Sequence, residues 1–179
     1  MTVPIFIRES TIADAPEITA VHLATWQEGY RHIFSAKALA ELDFNDRLNR
    51  WKSVLKMGDS TTLVAESAGA VIGFVNYGCE RDKQGPIEHP PEGEIYSIYA
   101  SPQWWGKGIG YRLMIEALDD IRNAGMSSVC LWVLEENIQA ISFYERNGFV
   151  FTNATKEIEM FGRGVVVRQY RMTIELKSE

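Results

Sequence analysis

Apolar and polar residues follow one another along this chain in short blocks, and the period of each block predicts its element. The run Ile-Phe-Ile-Arg at 5–8 predicts a first strand. Asp14, Pro16 and Glu17 resemble a capping box with proline in the first turn, which predicts a helix from there through about Glu28. A second helical region is predicted over 36–56. Two apolar runs, 61–66 and 71–79, are split by Ser67-Ala68-Gly69-Ala70 and read as a hairpin. Further strands are predicted over 94–100, 128–133, 149–155 and 165–174. Helices are predicted over 108–124, stopped by Gly125, and over 137–146. The order is β-α-α-β-β-β-α-β-α-β-β, an α/β chain with about seven strands.

The block with the clearest chemistry joins the fourth predicted strand to the helix after it: Gln103-Trp104-Trp105-Gly106-Lys107-Gly108-Ile109-Gly110. Three glycines at alternate positions remove the Cβ atoms that would hold an anion away from the backbone. Successive N–H groups and a helix N-terminus can then face one diphosphate. A P-loop would need Gly at 101 and Ser or Thr at 108 around Gly106-Lys107, where Ser101 and Gly108 stand. A dinucleotide fingerprint would need a third Gly at 111, where Tyr111 stands. Neither fits, and the expected ligand is a nucleotide-derived cofactor.

Gln103-x-x-Gly106-x-Gly108 does resemble the acetyl-CoA loop of the GNAT (GCN5-related) N-acetyltransferase superfamily. A second block in the right order supports the resemblance. After the apolar run 128–133, Asn137-x-x-Ala140-x-x-Phe143-Tyr144-x-x-x-Gly148-Phe149 is similar to that family's following helix and turn. The element order also resembles the GNAT fold, a mixed, strongly twisted sheet with helices on both faces, whose fourth and fifth strands splay to admit the pantetheine arm. The likeness is specific over 93–149; before it, only Trp26-Gln-Glu-Gly-Tyr30 and the element order carry it.

The resemblance implies acetyl-CoA as co-substrate. Backbone donors from Gly106 through Lys107, Gly108, Ile109, Gly110 and Tyr111 would hold its diphosphate beside Gln103, with Lys107 adding a phosphate contact. Ile98, Tyr99 and Ala100 would pair with the pantetheine chain as an added strand does, and the Ile98 N–H would polarise the thioester oxygen. Asn137 would hold the pantetheine amides, although it is also placed to cap the helix it opens. Glu94 matches the position of the family's general base and Tyr144 that of its general acid, a phenol with an ordinary pKa near ~10 that can return a proton to the departing thiolate. Glu28 and His32 are alternative bases. Trp104 and Trp105 depart from the small or charged residues common at their positions.

The acceptor is less legible. The segment 80–94 holds Glu80, Asp82, Glu88, Glu92 and Glu94 against Arg81 and Lys83, a surplus that would attract a cationic amine, and Trp26, Tyr30 and Tyr96 would supply aromatic walls for its ammonium, with Glu28 near them. The stretch 80–93, rich in charge and in proline, is also the expected mobile segment. The reading is direct transfer to a small primary amine, with a peptide acetyltransferase and a non-enzymatic acetyl-CoA sensor as alternatives.

Composition narrows this further. At 179 residues with 46% hydrophobic content the chain is one domain long, 1–179. A formal charge of −6 argues against a nucleic-acid partner. Cys79 and Cys130 sit in apolar runs and read as reduced, buried thiols, and no Cys/His spacing suggests a metal. The N-terminal apolar run is too short for a signal peptide, so a cytoplasmic location without a membrane span is expected. The family resemblance implies a homodimer.

Overall fold

A computed structural model describes residues 4–81 and 92–175. Seven strands form one mixed sheet in the order β1-β2-β3-β4-β5-β7-β6. They are β1 (Ile5–Glu9), β2 (Thr61–Ser67), β3 (Ala70–Cys79), β4 (Gly93–Ala100), β5 (Ser128–Leu134), β6 (Val150–Met160) and β7 (Arg163–Thr173). The helices are α1 (Ala15–Gly29), α2 (Ala36–Ala40), α3 (Phe44–Met57), α4 (Ile109–Asn123) and α5 (Ile138–Arg146). The expected α/β class and strand count are therefore present. Contacts divide the chain into two compact units: Met1–Tyr77 with Ser97–Ala117, and Gly78–Tyr96 with Leu118–Glu179.

The first unit is built on the antiparallel β1-β2-β3 ladder. The β2–β3 hairpin turns through Ala68 (φ 51°) and Gly69 (φ 77°), a left-handed pair that suits the twist of a two-residue loop. Its core contains Ala15, Ile18 and Val21 from α1, Trp51 from α3, and Val64, Val71 and Phe74 from the sheet. The apolar positions of α1 recur at three- and four-residue intervals, so one stripe is buried. The expected second helical region is two helices, because Asp43 starts a new one: its carboxylate accepts from Asp46 N at 2.8 Å and caps α3. The expected cap of α1 also differs. The Asp14 carboxylate accepts from Thr11 N and Oγ1 and from Arg8, while Glu17 accepts from Val71 N at 2.6 Å and ties the helix to β3.

His22 lies in this core. Its Nδ1 accepts from Trp51 Nε1 at 3.0 Å, and burial, then the nearby Arg47 charge, pull its pKa from 6.5 to about 3. Above pH 6.5 the imidazole is neutral in both folded and unfolded chains and adds no pH dependence. As pH falls from 6.5 towards 3, only the unfolded chain gains the proton, so stability should fall by up to about 1.4 kcal/mol per pH unit. Denaturant melts at several pH values in that window should show this slope relative to His22→Gln, which keeps an acceptor for Trp51. Parallel curves for the two proteins would remove His22 as the cause.

The second unit is built on β5, β7 and β6. Its strands bury Val129, Leu131, Val133, Val165, Val167 and Tyr170. The two last strands are longer than their sequence runs, since β6 carries alternating exposed polar residues that keep pairing with β7 up to the turn at Phe161-Gly162. Cys130 is buried, and burial pushes its thiol pKa up, but Cys79 is exposed where β3 ends, contrary to expectation. No helix among the described residues is long and apolar enough to cross a membrane.

Candidate active site

The glycine-rich loop is in the first unit. Ser101 N donates to Ile72 O at 2.8 Å, anchoring the end of β4, and a single 3-10 turn over Pro102–Trp104 leads into the glycines. Gly106 (φ 72°) and Gly108 (φ 78°) take left-handed backbone conformations, and a Cβ at either would meet no protein atom within 4 Å. The first helical bond of α4 runs from Arg112 N to Gly108 O, so the amides of Ile109, Gly110 and Tyr111 precede any intrahelical partner. That is a run of backbone donors at the positive end of a 15-residue helix.

The two tryptophans that break the sequence pattern have identifiable contacts. Trp105 Nε1 donates to Ala100 O at 2.7 Å, and a Cβ at Gly29 would be 3.6 Å from its ring, so Trp105 packs on the end of α1. The Lys107 ammonium lies 4.8 Å from the centre of the Trp104 ring. Gln103 is exposed.

Trp26, Tyr30 and Tyr99 are brought together. Trp26 Nε1 donates to the Tyr99 hydroxyl at 3.1 Å, and the Trp26 and Tyr30 rings are 4.8 Å apart. Tyr30 closes the last turn of α1, its N–H donating to Trp26 O, and is buried. Glu28 stands apart from this cluster, exposed and paired with Arg31 at 3.1 Å. His32 is exposed.

In the second unit, β4 and β5 run parallel, with register pairs from Gly93↔Val129 to Ile95↔Leu131. Glu94, at the buried start of β4, accepts from Arg81 N at 2.9 Å and from Arg81 Nη2 at 3.0 Å. The same guanidinium lies 3.6 Å from the centre of the Tyr96 ring, and the Tyr96 hydroxyl donates to Cys79 O at 2.5 Å.

Asn137 caps α5, its Oδ1 accepting from Ala140 N at 3.2 Å. Tyr144 is half-buried on the same helix, its ring edge-on to Phe143 and Phe149.

Sequence reasoning missed the role of Arg171. On one rung of the sheet, Glu94 lies opposite Cys130 and Cys130 opposite Arg171. Arg171 pairs with Glu80 at 2.7 Å and Glu92 at 2.5 Å. Three of the five acidic residues expected to attract an amine are thus held by arginines of the chain, whereas Asp82 and Glu88 lie outside the described residues. The Glu80 Oε2 atom is buried and makes no hydrogen bond. The only sequence signal for Arg171 was an arginine at an inward position of the last strand.

The family model that matches residues 21–149 describes the acetyltransferase (GNAT) family. It covers more than half of the chain, and the chain belongs to that family. By class it is an acetyl-CoA-dependent N-acetyltransferase. Among its relatives, Probable N-acetyltransferase Rv2775 of Mycobacterium tuberculosis is 30% identical over 80% of this chain and 78% of its own length. Uncharacterized N-acetyltransferase YuaI of Bacillus subtilis is 29% identical over 78% of this chain and 76% of its own. The PaiA N-acetyltransferase of Thermoplasma acidophilum, solved in complex with coenzyme A, shares the fold with a TM-score of 0.71 at 22% identity, covering 95% of this chain and 99% of that one.

Proposed function

We propose that residues 1–179 act as one N-acetyltransferase domain that moves the acetyl group of acetyl-CoA directly to the primary amine of a small molecule. The observation that carries this reading is the loop from Gly106 to Tyr111, where Lys107 N donates to Trp104 O at 3.4 Å but the amides of Ile109, Gly110 and Tyr111 precede any intrahelical partner, with two left-handed glycines and open space where their side chains would stand. In this reading those amides hold the diphosphate, while the β4 backbone at 98–100 pairs with the pantetheine arm and the Ile98 N–H stabilises charge on the thioester oxygen. Asn137 contributes a side-chain amide beyond its capping role.

The amine must lose its proton before it can attack. Glu94 accepts that proton, directly or through water: an ionised carboxylate has about four lone-pair sites, and Arg81 uses two of them. The amine nitrogen bonds to the thioester carbon, the carbon–sulfur bond breaks, Tyr144 donates a proton to the leaving thiolate, and the excess proton on the acylated nitrogen returns to the Tyr144 phenolate, leaving the neutral amide. Trp26, Tyr30, Tyr96 and Glu28 stand as candidate contacts of the acceptor, while three of the acidic side chains expected to draw a cation are held by arginines of the chain. The protein is read as a cytoplasmic homodimer that uses no metal.

The test is release of CoA thiol from acetyl-CoA over a panel of polyamines, amino acids, aminoglycosides and short peptides. Release with free small amines is expected. Release with peptides alone would replace this reading by a protein acetyltransferase, and cofactor binding without release to any acceptor would replace it by a sensor.

A further inference from the structure

Arg47, on α3, is the least explained charged side chain of the first unit. Its guanidinium carbon lies 5.5 Å from the centre of the Trp26 ring. It is half-buried, and no N–H of the guanidinium bonds or pairs with a described residue. Burial first, and the charge of Arg50 second, push its pKa below the ordinary value. A half-buried guanidinium with no carboxylate beside it among the described residues keeps its N–H donors open to a ligand from solvent.

A second donor in the same aromatic cluster also lacks an acceptor. Because His22 Nδ1 accepts from Trp51, the ring proton sits on Nε2, and that buried N–H makes no hydrogen bond. The His22 ring centre is 4.9 Å from that of Tyr99 and 5.7 Å from that of Trp26. Two donors without acceptors therefore stand among the aromatic residues assigned to the acetyl acceptor. Moreover, the faces expected to receive an ammonium are taken, that of Trp26 by Arg47 and that of Tyr96 by Arg81. The missing complement at α1 and α3 is an anion.

We propose that Arg47 anchors a carboxylate of the acceptor, which makes the acceptor an amino-acid-like zwitterion rather than a polyamine. The proposal rests on the small-molecule transfer reading and narrows it. A carboxylate matches the planar fork of guanidinium with two parallel hydrogen bonds, and Trp26 lies against one side of that guanidinium.

The test compares matched acceptors that share a side chain: an amino acid, its neutral amide and its decarboxylated amine, at saturating acetyl-CoA. The wild-type protein should prefer the carboxylate form by about 10- to 100-fold in kcat/KM, the range of a charge-assisted hydrogen-bonded pair. In Arg47→Gln that ratio should collapse to about twofold or less, and Arg47→Lys should restore part of it. No preference in the wild type, or a preference that survives in Arg47→Gln, overturns the proposal.

A binding arm separates this proposal from the transfer reading. If acetyl-CoA binds but no amine is acetylated, calorimetric titration of the same amino acids into the acetyl-CoA-loaded protein decides. Binding that Arg47→Gln abolishes supports the carboxylate anchor even though transfer has failed, and no binding overturns it. The cofactor offers a second anion. If the difference in affinity between CoA and 3′-dephospho-CoA disappears in Arg47→Gln, the arginine serves the cofactor phosphate and the proposal is overturned.

Discussion

Gly108→Val is expected to lower acetyl-CoA affinity by about 100-fold or more, a change on the order of 3 kcal/mol. Two effects combine. The residue sits at φ 78°, where a β-branched side chain is strongly disfavoured, so the loop must leave the conformation that aims its amides. The added side chain would also stand in space that is open in the protein and that the cofactor reading fills with diphosphate. Gly125→Val supplies the control. Gly125 has φ 79° and the same open surroundings at the other end of α4, so its replacement costs stability through the same strain but should leave cofactor affinity within about twofold of wild type. Calorimetric titration of acetyl-CoA, with thermal melts of both variants, makes the comparison. Wild-type affinity in Gly108→Val would sink the cradle assignment, and equal losses in both variants would mean that the effect is general strain.

Tyr144→Phe is expected to lower kcat by about 100-fold while changing acetyl-CoA affinity little, the range for removing one positioned general acid. The substitution keeps the aromatic body that meets Phe143 and Phe149 edge-on and removes only the hydroxyl. A structural role for Tyr144 would therefore be nearly preserved, whereas a proton-donating role would be lost. Steady-state turnover with a good acceptor, together with cofactor titration, reads the difference. Turnover equal to wild type would remove Tyr144 from the acid role. A parallel loss of cofactor affinity would assign the hydroxyl to binding rather than to proton transfer.

Elements whose signal is local were legible in the chain. The hairpin at Ala68-Gly69, the start of α4 after Gly108, its end at Gly125 and the Asn137 cap each depend on a few adjacent residues with particular backbone needs. The split between α2 and α3 was missed because apolar spacing runs through it, while the break comes from one capping carboxylate at Asp43. The capping box was placed three residues late because Arg8 and Thr11 compete for Asp14.

Charge partners were the least legible. Glu80, Glu92 and Glu94 read as an acidic surface in sequence, yet strand register brings Arg171 onto their rung and the turn after β3 brings Arg81 onto Glu94. Trp26 and Tyr96 read as open aromatic walls, yet an arginine covers each. The sequence by itself determined the family, the α/β order and the loop where an anion can approach the backbone, because glycine spacing and hydrophobic period act over a few neighbouring residues. Only the tertiary structure decided which charges neutralise one another and that Arg47 stands over Trp26 with no carboxylate beside it among the described residues, because those contacts join residues that are far apart in the chain and are fixed by sheet register and helix packing.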